Sequence, residues 1–238
     1  MINFSKSKIL VVVAHPDDEI LGVGGTLSFL SEVKSATIKV VILGEGITSR
    51  GYNRHTSDWE DELKNHKKDI EKAKHIIGYD RLMCYDFPDN RFDSKDLLDI
   101  IKIVEKEKND FKPDIIFTHH YGDLNIDHRI THDAVITASR PLSGENLHSI
   151  LTFETPSSTE WQLNSDTSFK PNLYVEIRDK DLERKIRAMQ CYRFEKREYP
   201  HPRSPKALEI LAANRGISVG KKYVEAFSIS RSIHSKNV

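Results

Sequence analysis

Stretches of consecutive apolar residues alternate along the chain with stretches of helical periodicity. Residues 9–14 form an unbroken apolar run rich in β-branched side chains, which predicts a central strand buried on both faces. Residues 20–33 then carry apolar side chains at helical spacing. The alternation continues, with strands predicted at 36–43, 82–87, 115–118, 150–154, 173–177 and 226–229 and helices at 59–77, 97–104, 181–192 and 205–214.

This order of elements predicts an α/β fold with a mostly parallel, doubly wound sheet flanked by helices. The chain of 238 residues can bury a substantial core and shows no shift of composition that marks a linker, so residues 1–238 are predicted to form a single domain. In a doubly wound sheet the first strand lies beside the strand at which the order reverses. If the 9–14 and 115–118 strands are those neighbours, the residues that follow them face each other across the ligand-binding crevice.

Charge and composition narrow the classes of partner. Lys and Arg together number 36, as do Asp and Glu, and no basic stripe stands out, which makes nucleic acid and anionic membranes poor partners. The apolar runs are too short to span a bilayer and the first residues, MINFSKSK, do not resemble a signal peptide, so a cytoplasmic protein is expected. Cys84 and Cys191 are isolated, which favours neither a disulfide framework nor a thiolate metal site.

The first strand ends abruptly in polar residues, namely His15, Asp17, Asp18 and Glu19. Three carboxylates crowded at the end of a buried strand resist ionising together, and burial penalises each of them, so a bound cation would resolve the conflict. His15 and Asp18 can point at one metal ion while Asp17 lies beside it. The simpler alternative is a carboxylate that caps the following helix, but this explains one Asp and leaves His15 unexplained.

Three glycines follow in the predicted helix, at Gly22, Gly24 and Gly25. They could let a ligand or a neighbouring strand approach the backbone. A dinucleotide fingerprint requires GxGxxG, whereas the spacing here is GxGG, and the carboxylates of the preceding HPDD segment would repel a pyrophosphate. The pattern therefore disfavours NAD and ATP.

A second polar cluster follows the 115–118 strand, in the segment HHYGDLNIDHRITHDAV. Its members are His119, His120, Asp123, Asn125, Asp127, His128 and His132. If the two strands are neighbours, His15 and Asp18 face His128 across the crevice. His132 lies one helical turn beyond His128, and it is more simply a surface or supporting histidine than a further ligand.

This set of side chains suits metal-assisted hydrolysis. Two imidazoles and one carboxylate leave a zinc ion with an open coordination position, as catalytic sites require. Such an ion lowers the pKa of its water to about 7 and polarises a carbonyl, and Asp17 is placed to take the proton as general base. A non-haem iron(II) oxygenase is the rival, since it also uses two histidines and a carboxylate, although the alternation of strand and helix disfavours it.

Further polar residues follow other strands, at the edge of the sheet where open α/β folds place their ligands. Glu45, Arg50 and Arg54 lie in the loop GEGITSRGYNRH after the second strand. They are candidates for substrate contact, or else solvated loop charges. The PDNRF segment places Asp89 and Asn90 on that edge as well.

The motif AHPDDE and the segment NIDHR resemble the LmbE-like or PIG-L deacetylases. That group includes N-acetylglucosaminyl-phosphatidylinositol de-N-acetylase and the bacterial deacetylases of mycothiol and bacillithiol biosynthesis. The first motif is highly specific and the second moderately so. The resemblance extends more loosely over most of the chain, through the loop with Arg50, the PDNRF segment and the late HPRSPKALEILAANRG and EAF segments.

The resemblance implies a Rossmann-like fold and hydrolysis of an acetamide on an amino sugar, which yields acetate and a free amine. It implies that His15, Asp18 and His128 bind zinc and that Asp17 is the base, with Asp127 as a supporting carboxylate beside His128. The remaining candidates for substrate contact or for support of the site are Arg50, Asn90, Asn125 and His120.

One departure concerns proton transfer. Several members of the family carry a histidine three positions before the last zinc ligand, whereas this chain has Asn125 there. An amide can donate a hydrogen bond to an oxyanion but cannot supply a proton. Proton delivery to the leaving amine is then expected from Asp17, or from His120 or His132 if either reaches the site.

The leading hypothesis is a zinc-dependent deacetylase that acts on a small-molecule N-acetylated sugar or glycoconjugate, with another divalent metal such as Fe²⁺ as the alternative cofactor. The alternative from a different class is a non-catalytic protein that binds sugar in the same crevice. The intact metal and base residues argue against it, because a binder gains little from a base beside an open metal site. The sequence leaves open whether the chain forms a homo-oligomer.

Overall fold

The computed structural model describes residues 2–33, 36–52 and 54–234. Its strands are β1 (Ser7–Val13), β2 (Ala36–Gly44), β3 (Arg81–Phe87), β4 (Ile115–His119), β5 (Ser149–Phe153), β6 (Leu173–Glu176) and β7 (Val224–Ser232). Its longer helices are α1 (Asp18–Glu32), α2 (Glu60–Ile77), α3 (Leu97–Phe111), α4 (Ile126–Ala138), α5 (Asp179–Cys191) and α6 (Pro205–Ile217). The strands and helices predicted from the apolar pattern are thus confirmed.

In the part of the chain that the structure describes, the strands form one sheet in the order β3-β2-β1-β4-β5-β7-β6. The strands from β3 to β5 pair in parallel, and β7 pairs antiparallel with both β5 and β6. β1 lies between β2 and β4, with Ile9 opposite Ile115. The strand order reverses there, so the carboxyl ends of β1 and β4 flank the crevice in which such sheets bind ligands. The α/β class and the mostly parallel sheet are confirmed.

β1 is buried on both faces, which explains why its sequence is apolar without alternation. Ile9, Val11 and Val13 point into the layer that contains core residues of α1, α2 and α5. Leu10 and Val12 point into the opposite layer, with core residues of α3 and α4. Helices cover both faces of the strand, so the loop that follows β1 starts from a fixed position.

Helix α1 packs very closely on the sheet at Gly22. A Cβ atom there would lie 2.2 Å from Cδ2 of Phe153 in β5. The sequence left open whether a ligand or a neighbouring strand approaches the glycines, and at Gly22 it is a side chain of a strand. Because Asp18 begins this helix, the close packing also fixes the position of the acidic residues.

Two helices extend further than the apolar pattern predicted. α6 continues to Ile217, and α3 continues to Phe111 through a run of charged residues. Within that run Glu107 is buried, pairs with Lys39 and accepts a hydrogen bond from Tyr85 (2.5 Å). A buried carboxylate neutralised by a distant lysine belongs to the core side of the helix, which a hydrophobic pattern does not reveal. No helix among the described residues is long and apolar enough to cross a membrane.

Candidate active site

Two loops at the carboxyl edge of the sheet carry the candidate site. The first joins β1 to α1 and holds the HPDD segment, and the second joins β4 to α4, whose first turn carries His128. Asn125 caps α4, because its side chain accepts a hydrogen bond from the N–H group of Asp127 (2.8 Å). The cap fixes the first turn of α4 and therefore the direction in which His128 points.

His15, Asp18 and His128 converge although they come from different loops. Oδ2 of Asp18 lies 3.5 Å from Nδ1 of His15 and 3.3 Å from Nε2 of His128. One ligand atom from each residue lies within 4.8 Å of the other two, and all three residues are buried. Two imidazoles and one carboxylate in this arrangement suit a divalent cation such as zinc. The three residues could therefore hold a metal ion.

Carboxylates support both imidazoles from the side opposite Asp18. Oδ2 of Asp127 lies 2.9 Å from Nε2 of His15, and Oδ1 of Asp123 lies 3.1 Å from Nδ1 of His128. Asp127 also accepts a hydrogen bond from the N–H group of Phe92 (2.9 Å). Carboxylates in these positions orient metal-binding histidines and raise their basicity.

A second group of metal-type donors shares His15. It consists of His15, Asp89 and Asp127, whose ligand atoms also lie within 4.8 Å of one another. Oδ1 of Asp89 lies 3.4 Å from the same Nε2 that contacts Asp127. The 2.9 Å separation between His15 and Asp127 is that of a direct hydrogen bond. The Asp127 side of the ring therefore fits a supporting hydrogen bond, and the Asp18 side is the one available to a metal ion.

Ionisation in this cluster favours positive charge on the two histidines. Burial by itself lowers the pKa of His128, but Asp18 and Asp123 raise it to about 9. Burial acts in the same direction on His15, and hydrogen bonds to Asp127 and Asp18 outweigh it and raise the pKa of His15 well above its ordinary value. The surrounding carboxylates are therefore stabilised by positive charge on or between the two imidazoles. Protons can supply this charge, and so can a divalent ion.

His119 touches the cluster without being a candidate ligand. Its ring stacks on that of His128, with centroids 3.9 Å apart. Its Nε2 accepts a hydrogen bond from the N–H group of Ala14 (3.0 Å), and its Nδ1 lies 3.2 Å from the Thr155 hydroxyl. Burial and the adjacent charge of His128 lower the pKa of His119 to about 4. A neutral ring whose lone pair is already engaged supports His128 by packing.

Asp17 occupies the N-cap position of α1, yet its side chain makes no capping hydrogen bond. The capping alternative therefore does not explain this carboxylate. Its φ of 105° lies in the left-handed region, which is costly for a residue with a side chain, and its N–H group donates to Glu19 (3.1 Å). Burial raises the pKa of Asp17 well above its usual range, against the opposing charge of Arg203. A buried carboxylate with a raised pKa beside a metal site suits a general base.

The sequence did not predict that Arg203 and Glu195 belong to the site, where Arg203 contacts the Asp17 carboxylate. Nη1 of Arg203 lies 3.1 Å from Oδ2 of Asp17 and 2.5 Å from Glu195, and its Nε donates to the Ser157 hydroxyl (2.7 Å). Glu195 also pairs with Arg50. The likeness of the HPRSP segment to the family was the available signal, but nothing in the spacing shows that its arginine reaches Asp17.

A pocket of about 110 Å³ lies between the two loops and the segment that contains Glu195 and Arg203. The predicted site residues that line it are His15, Asp17, Arg50, Asp89, Asn90, Asn125 and His128. Asp18 and Asp127 are buried and do not line it. His120 does not line it either. Its Nε2 lies 2.8 Å from the carbonyl oxygen of Thr167. His132 is also absent from its wall, so the structure brings neither histidine to the pocket.

Glu45 and Arg54, which are also candidates for substrate contact, pair with each other. Nη2 of Arg54 lies 2.7 Å from Oε2 of Glu45, and its Nε lies 3.1 Å from Oε1. Both residues lie outside the pocket, in the wall of a second cavity that Pro16 also lines.

Residues 10–139 match the sequence profile of the family PIG-L, GlcNAc-PI de-N-acetylase. The protein described as "Uncharacterized deacetylase YaiS" of Escherichia coli (strain K12) is 26% identical over 190 residues, which cover 78% of this chain and 90% of that protein. The region that matches the family profile contains both loops of the candidate site and ends before Glu195 and Arg203.

Solved structures share the fold. The N,N′-diacetylchitobiose deacetylase from Pyrococcus horikoshii is 21% identical with a TM-score of 0.70, and the alignment covers 94% of this chain and 84% of that one. GalB, the 4-carboxy-2-hydroxymuconate hydratase from Pseudomonas putida KT2440, is 17% identical with a TM-score of 0.75, covering 98% and 99%. A deacetylase and a hydratase thus share this fold, so the reaction has to be argued from the site.

Proposed function

Because the chain belongs to the PIG-L (GlcNAc-PI de-N-acetylase) family, we propose that it is a metal-dependent hydrolase that removes an N-acetyl group from an amino sugar or a sugar conjugate. The observation that carries this proposal is the meeting of His15, Asp18 and His128 beside the buried carboxylate of Asp17. Hydrolysis of an amide requires an activated water molecule and a polarised carbonyl, which a metal ion with an adjacent general base can provide.

We propose further that residues 1–238 act as one catalytic domain. The family profile ends at residue 139, whereas Glu195 and Arg203 also line the pocket. Since Arg203 lies 3.1 Å from Asp17, the later part of the chain would take part in positioning the base.

Zinc is the proposed cofactor, with iron(II) or another divalent ion as the alternative. His15, Asp18 and His128 would hold it, and Asp127 and Asp123 would orient the two imidazoles. When bound there, a divalent cation supplies Lewis acidity, which makes water a stronger nucleophile near neutral pH and polarises a carbonyl group.

Asp17 would accept the proton that water loses when its oxygen attacks the carbonyl carbon of the acetamide. The charge of Arg203 favours the ionised carboxylate before the attack, and burial favours the protonated carboxyl after it. The C–N bond then breaks, and the nitrogen must gain a proton before it leaves as a free amine. The carbonyl carbon leaves as acetate.

Asn125 cannot be the source of that proton. Its Nδ2 donates to Oδ1 of Asn90 (2.8 Å), and its side-chain oxygen accepts from the N–H group of Asp127 (2.8 Å). An amide held in this way orients its neighbours but carries no acidic proton. We therefore propose that Asp17 both accepts the proton from water and returns it to the leaving amine.

An N-acetylated sugar or glycoconjugate is the proposed substrate class. The family description names a GlcNAc conjugate, and the pocket offers Arg50, Asn90 and Ser49 as hydrogen-bonding side chains for hydroxyl groups. The diacetylchitobiose deacetylase of similar fold also acts on an N-acetylated sugar. These residues would select the ring, while the metal and Asp17 would act on its acetamide.

Release of amine from a panel of N-acetylated sugars, measured with and without a chelator, tests this proposal. We expect equal amounts of amine and acetate, loss of both on chelation and recovery on addition of zinc. Binding without release would favour the sugar-binding alternative. Turnover that consumes oxygen after reconstitution with iron(II) would favour the oxygenase.

A further inference from the structure

Two buried polar side chains, those of Glu19 and Tyr192, meet beside Asp17. Both residues are 0% exposed, and neither lines the pocket of the candidate site. The Tyr192 hydroxyl donates a hydrogen bond to Oε1 of Glu19 (2.5 Å), and the N–H group of Asp17 donates to Oε2 (3.1 Å). The carboxylate of Glu19 therefore connects the backbone of Asp17 to Tyr192, which lies at the C-terminal end of α5.

Stability alone does not account for this pair. Tyr192 belongs to the apolar layer that also contains Leu21 and Ile77. A carboxylate loses its hydration when it is buried there, and its new hydrogen bonds have to offset that cost. Apolar side chains of similar size in place of both partners are often neutral or stabilising. The pair therefore indicates a requirement of geometry.

The geometry in question is that of the Asp17 backbone. Its φ of 105° is costly for a residue with a side chain, and such a conformation persists only where the surroundings hold it. The carbonyl oxygen of Asp17 accepts hydrogen bonds from the N–H groups of Ile20 (3.0 Å) and Leu21 (2.9 Å). Glu19 supplies the partner of the N–H group. Both backbone polar groups of Asp17 are thus fixed.

The segment that begins at Tyr192 also contacts the Asp17 side chain. The N–H group of Glu195 donates to the carbonyl oxygen of Tyr192 (3.0 Å), and Glu195 pairs with Arg203 (2.5 Å). Arg203 in turn lies 3.1 Å from Oδ2 of Asp17. Residues 192–203 therefore contact Asp17 in two ways, through Glu19 at its backbone and through Arg203 at its carboxylate.

We propose that Glu19 and Tyr192 are positioning residues, which fix the backbone of Asp17 and thereby the direction of its carboxylate. This inference rests on the proposed function, in which Asp17 is the general base. Neither residue reaches the pocket, so both act through Asp17 and not on the substrate.

Three variants and a matched control test the proposal. Glu19→Leu removes both oxygens at similar size, and Tyr192→Phe removes only the hydroxyl group. Glu19→Gln is the conservative variant, since its amide can still accept from the Asp17 N–H group and donate to the Tyr192 oxygen. Tyr79→Phe is the control, because Tyr79 is 2% exposed in the same apolar layer and its hydroxyl has no hydrogen-bond partner among the described residues.

Steady-state kinetics and metal analysis give the first readout. We expect Glu19→Leu to lower kcat about 10- to 100-fold with little change in KM, because a small misplacement of a reacting group is costly. Tyr192→Phe, which removes one hydrogen bond, should lower kcat about fivefold. Glu19→Gln should recover most of the rate, and Tyr79→Phe should match the wild-type protein. Zinc content should stay at the wild-type level.

Several results of these measurements would overturn the proposal. They are an unchanged kcat in Tyr192→Phe, an equal loss of kcat in Tyr79→Phe, and a loss of zinc in Glu19→Leu, which would show that Glu19 supports the ligand Asp18 instead. Tyr192→Phe and Glu19→Gln decide the question if Glu19→Leu does not fold.

A double-mutant cycle separates positioning from a general effect on the fold. Once Asp17→Asn has removed the base, a residue that acts only through Asp17 has nothing left to position, so Tyr192→Phe should cause no further loss of the residual rate. A further loss of the same factor in the Asp17→Asn protein would show a general effect and overturn the proposal.

Hydrogen exchange of the Asp17 amide, followed by NMR, provides a readout without turnover. We expect this amide to exchange about tenfold faster in Glu19→Leu than in the wild-type protein and to be unchanged in Tyr79→Phe, because only the former loses the acceptor. An unchanged rate in Glu19→Leu would overturn the inference. If exchange responds as expected but the wild-type protein releases no amine, the positioning contact stands and the proposed reaction is wrong. If the wild-type protein releases amine and the Glu19 and Tyr192 variants do so equally fast, the proposed function stands and this inference is wrong.

Discussion

The imidazoles of His15 and His128 lie with their ring centroids 5.4 Å apart. Each ring presents a nitrogen to the same oxygen, Oδ2 of Asp18, at 3.5 and 3.3 Å. The two histidines follow different strands, and they meet because β1 pairs directly with β4. This relationship is the basis for proposing that the protein binds a metal ion, and it leads to predictions that separate metal ligands from neighbouring groups.

The role of Asp17 is tested by Asp17→Asn, which keeps the shape of the side chain and removes its basicity. We expect the zinc content to stay near that of the wild-type protein and kcat to fall about 100-fold or more, as expected for loss of a general base. Metal analysis and steady-state kinetics on the same preparation measure both quantities. Loss of zinc would show instead that Asp17 is a ligand.

The third metal ligand is tested by comparing two histidines of α4. His128→Ala should weaken zinc binding by more than the ~10–100-fold that loss of a supporting group costs, because it removes a donor atom from the metal. His132→Ala is the matched control, since His132 lies outside the pocket and should leave zinc affinity unchanged. Competition with a chromophoric chelator gives both affinities. Equal affinities would place the third ligand elsewhere.

Arg203 is expected to act by positioning Asp17, which it approaches to 3.1 Å. Arg203→Ala should lower kcat about 10- to 100-fold with a smaller change in KM, since misplacing a reacting group is costly. Added guanidinium should restore part of the rate, whereas Arg203→Lys should recover little because lysine lacks the planar fork. Arg197→Ala, an exposed neighbour in the same segment, is the control. A uniform loss without guanidinium rescue would indicate a structural role only.

The raised pKa of His128, about 9 against an ordinary value of 6.5, predicts how stability depends on pH. Between these values the folded chelator-treated protein holds more protons than the unfolded chain, so its free energy of unfolding should fall as pH rises from 6.5 through about 9. His15, whose pKa is also raised, contributes with the same sign. Below pH 6.5 this stabilisation is fully present.

Zinc should remove that trend, because imidazoles bind metal only when deprotonated and the zinc-loaded protein then holds no more protons on them than the unfolded chain does above pH 6.5. The difference in melting temperature between zinc-loaded and chelator-treated protein should therefore increase across this pH range. Differential scanning calorimetry at several pH values measures the difference. A difference that stays constant with pH would contradict the assignment of His15 and His128 as metal ligands.

Gly22 and Gly24 provide a matched test of how α1 packs. Alanine is favoured over glycine in a helix by up to about 1 kcal/mol, but a Cβ at Gly22 would lie 2.2 Å from the Phe153 ring. Overpacking of this kind costs ~1–3 kcal/mol, so Gly22→Ala should be destabilising. At Gly24 the nearest atom would be 3.3 Å away, and Gly24→Ala should be nearly neutral. Chemical denaturation measures both, and equal stability would contradict the packing argument.

The sequence alone determined the alternation of strands and helices, the buried character of β1 and the types of donor that follow β1 and β4. These are local properties, because apolar periodicity records which face of an element is buried and because several carboxylates beside a histidine are costly without a cation. The length of α3 escaped prediction, since the burial of Glu107 in this helix depends on its pairing with Lys39 of β2.

Only the tertiary structure decided which polar residues face the pocket. His119 and His128 are equally good donors in the sequence, and their Nε2 atoms lie 3.4 and 3.3 Å from Oδ2 of Asp18. Nε2 of His119, however, also accepts a hydrogen bond from the N–H group of Ala14, and of the two rings it is that of His128 that lines the pocket. Likewise, nothing local joins Arg203 to Asp17. Such contacts depend on strand order and helix packing, which bring distant segments together and which no local pattern encodes.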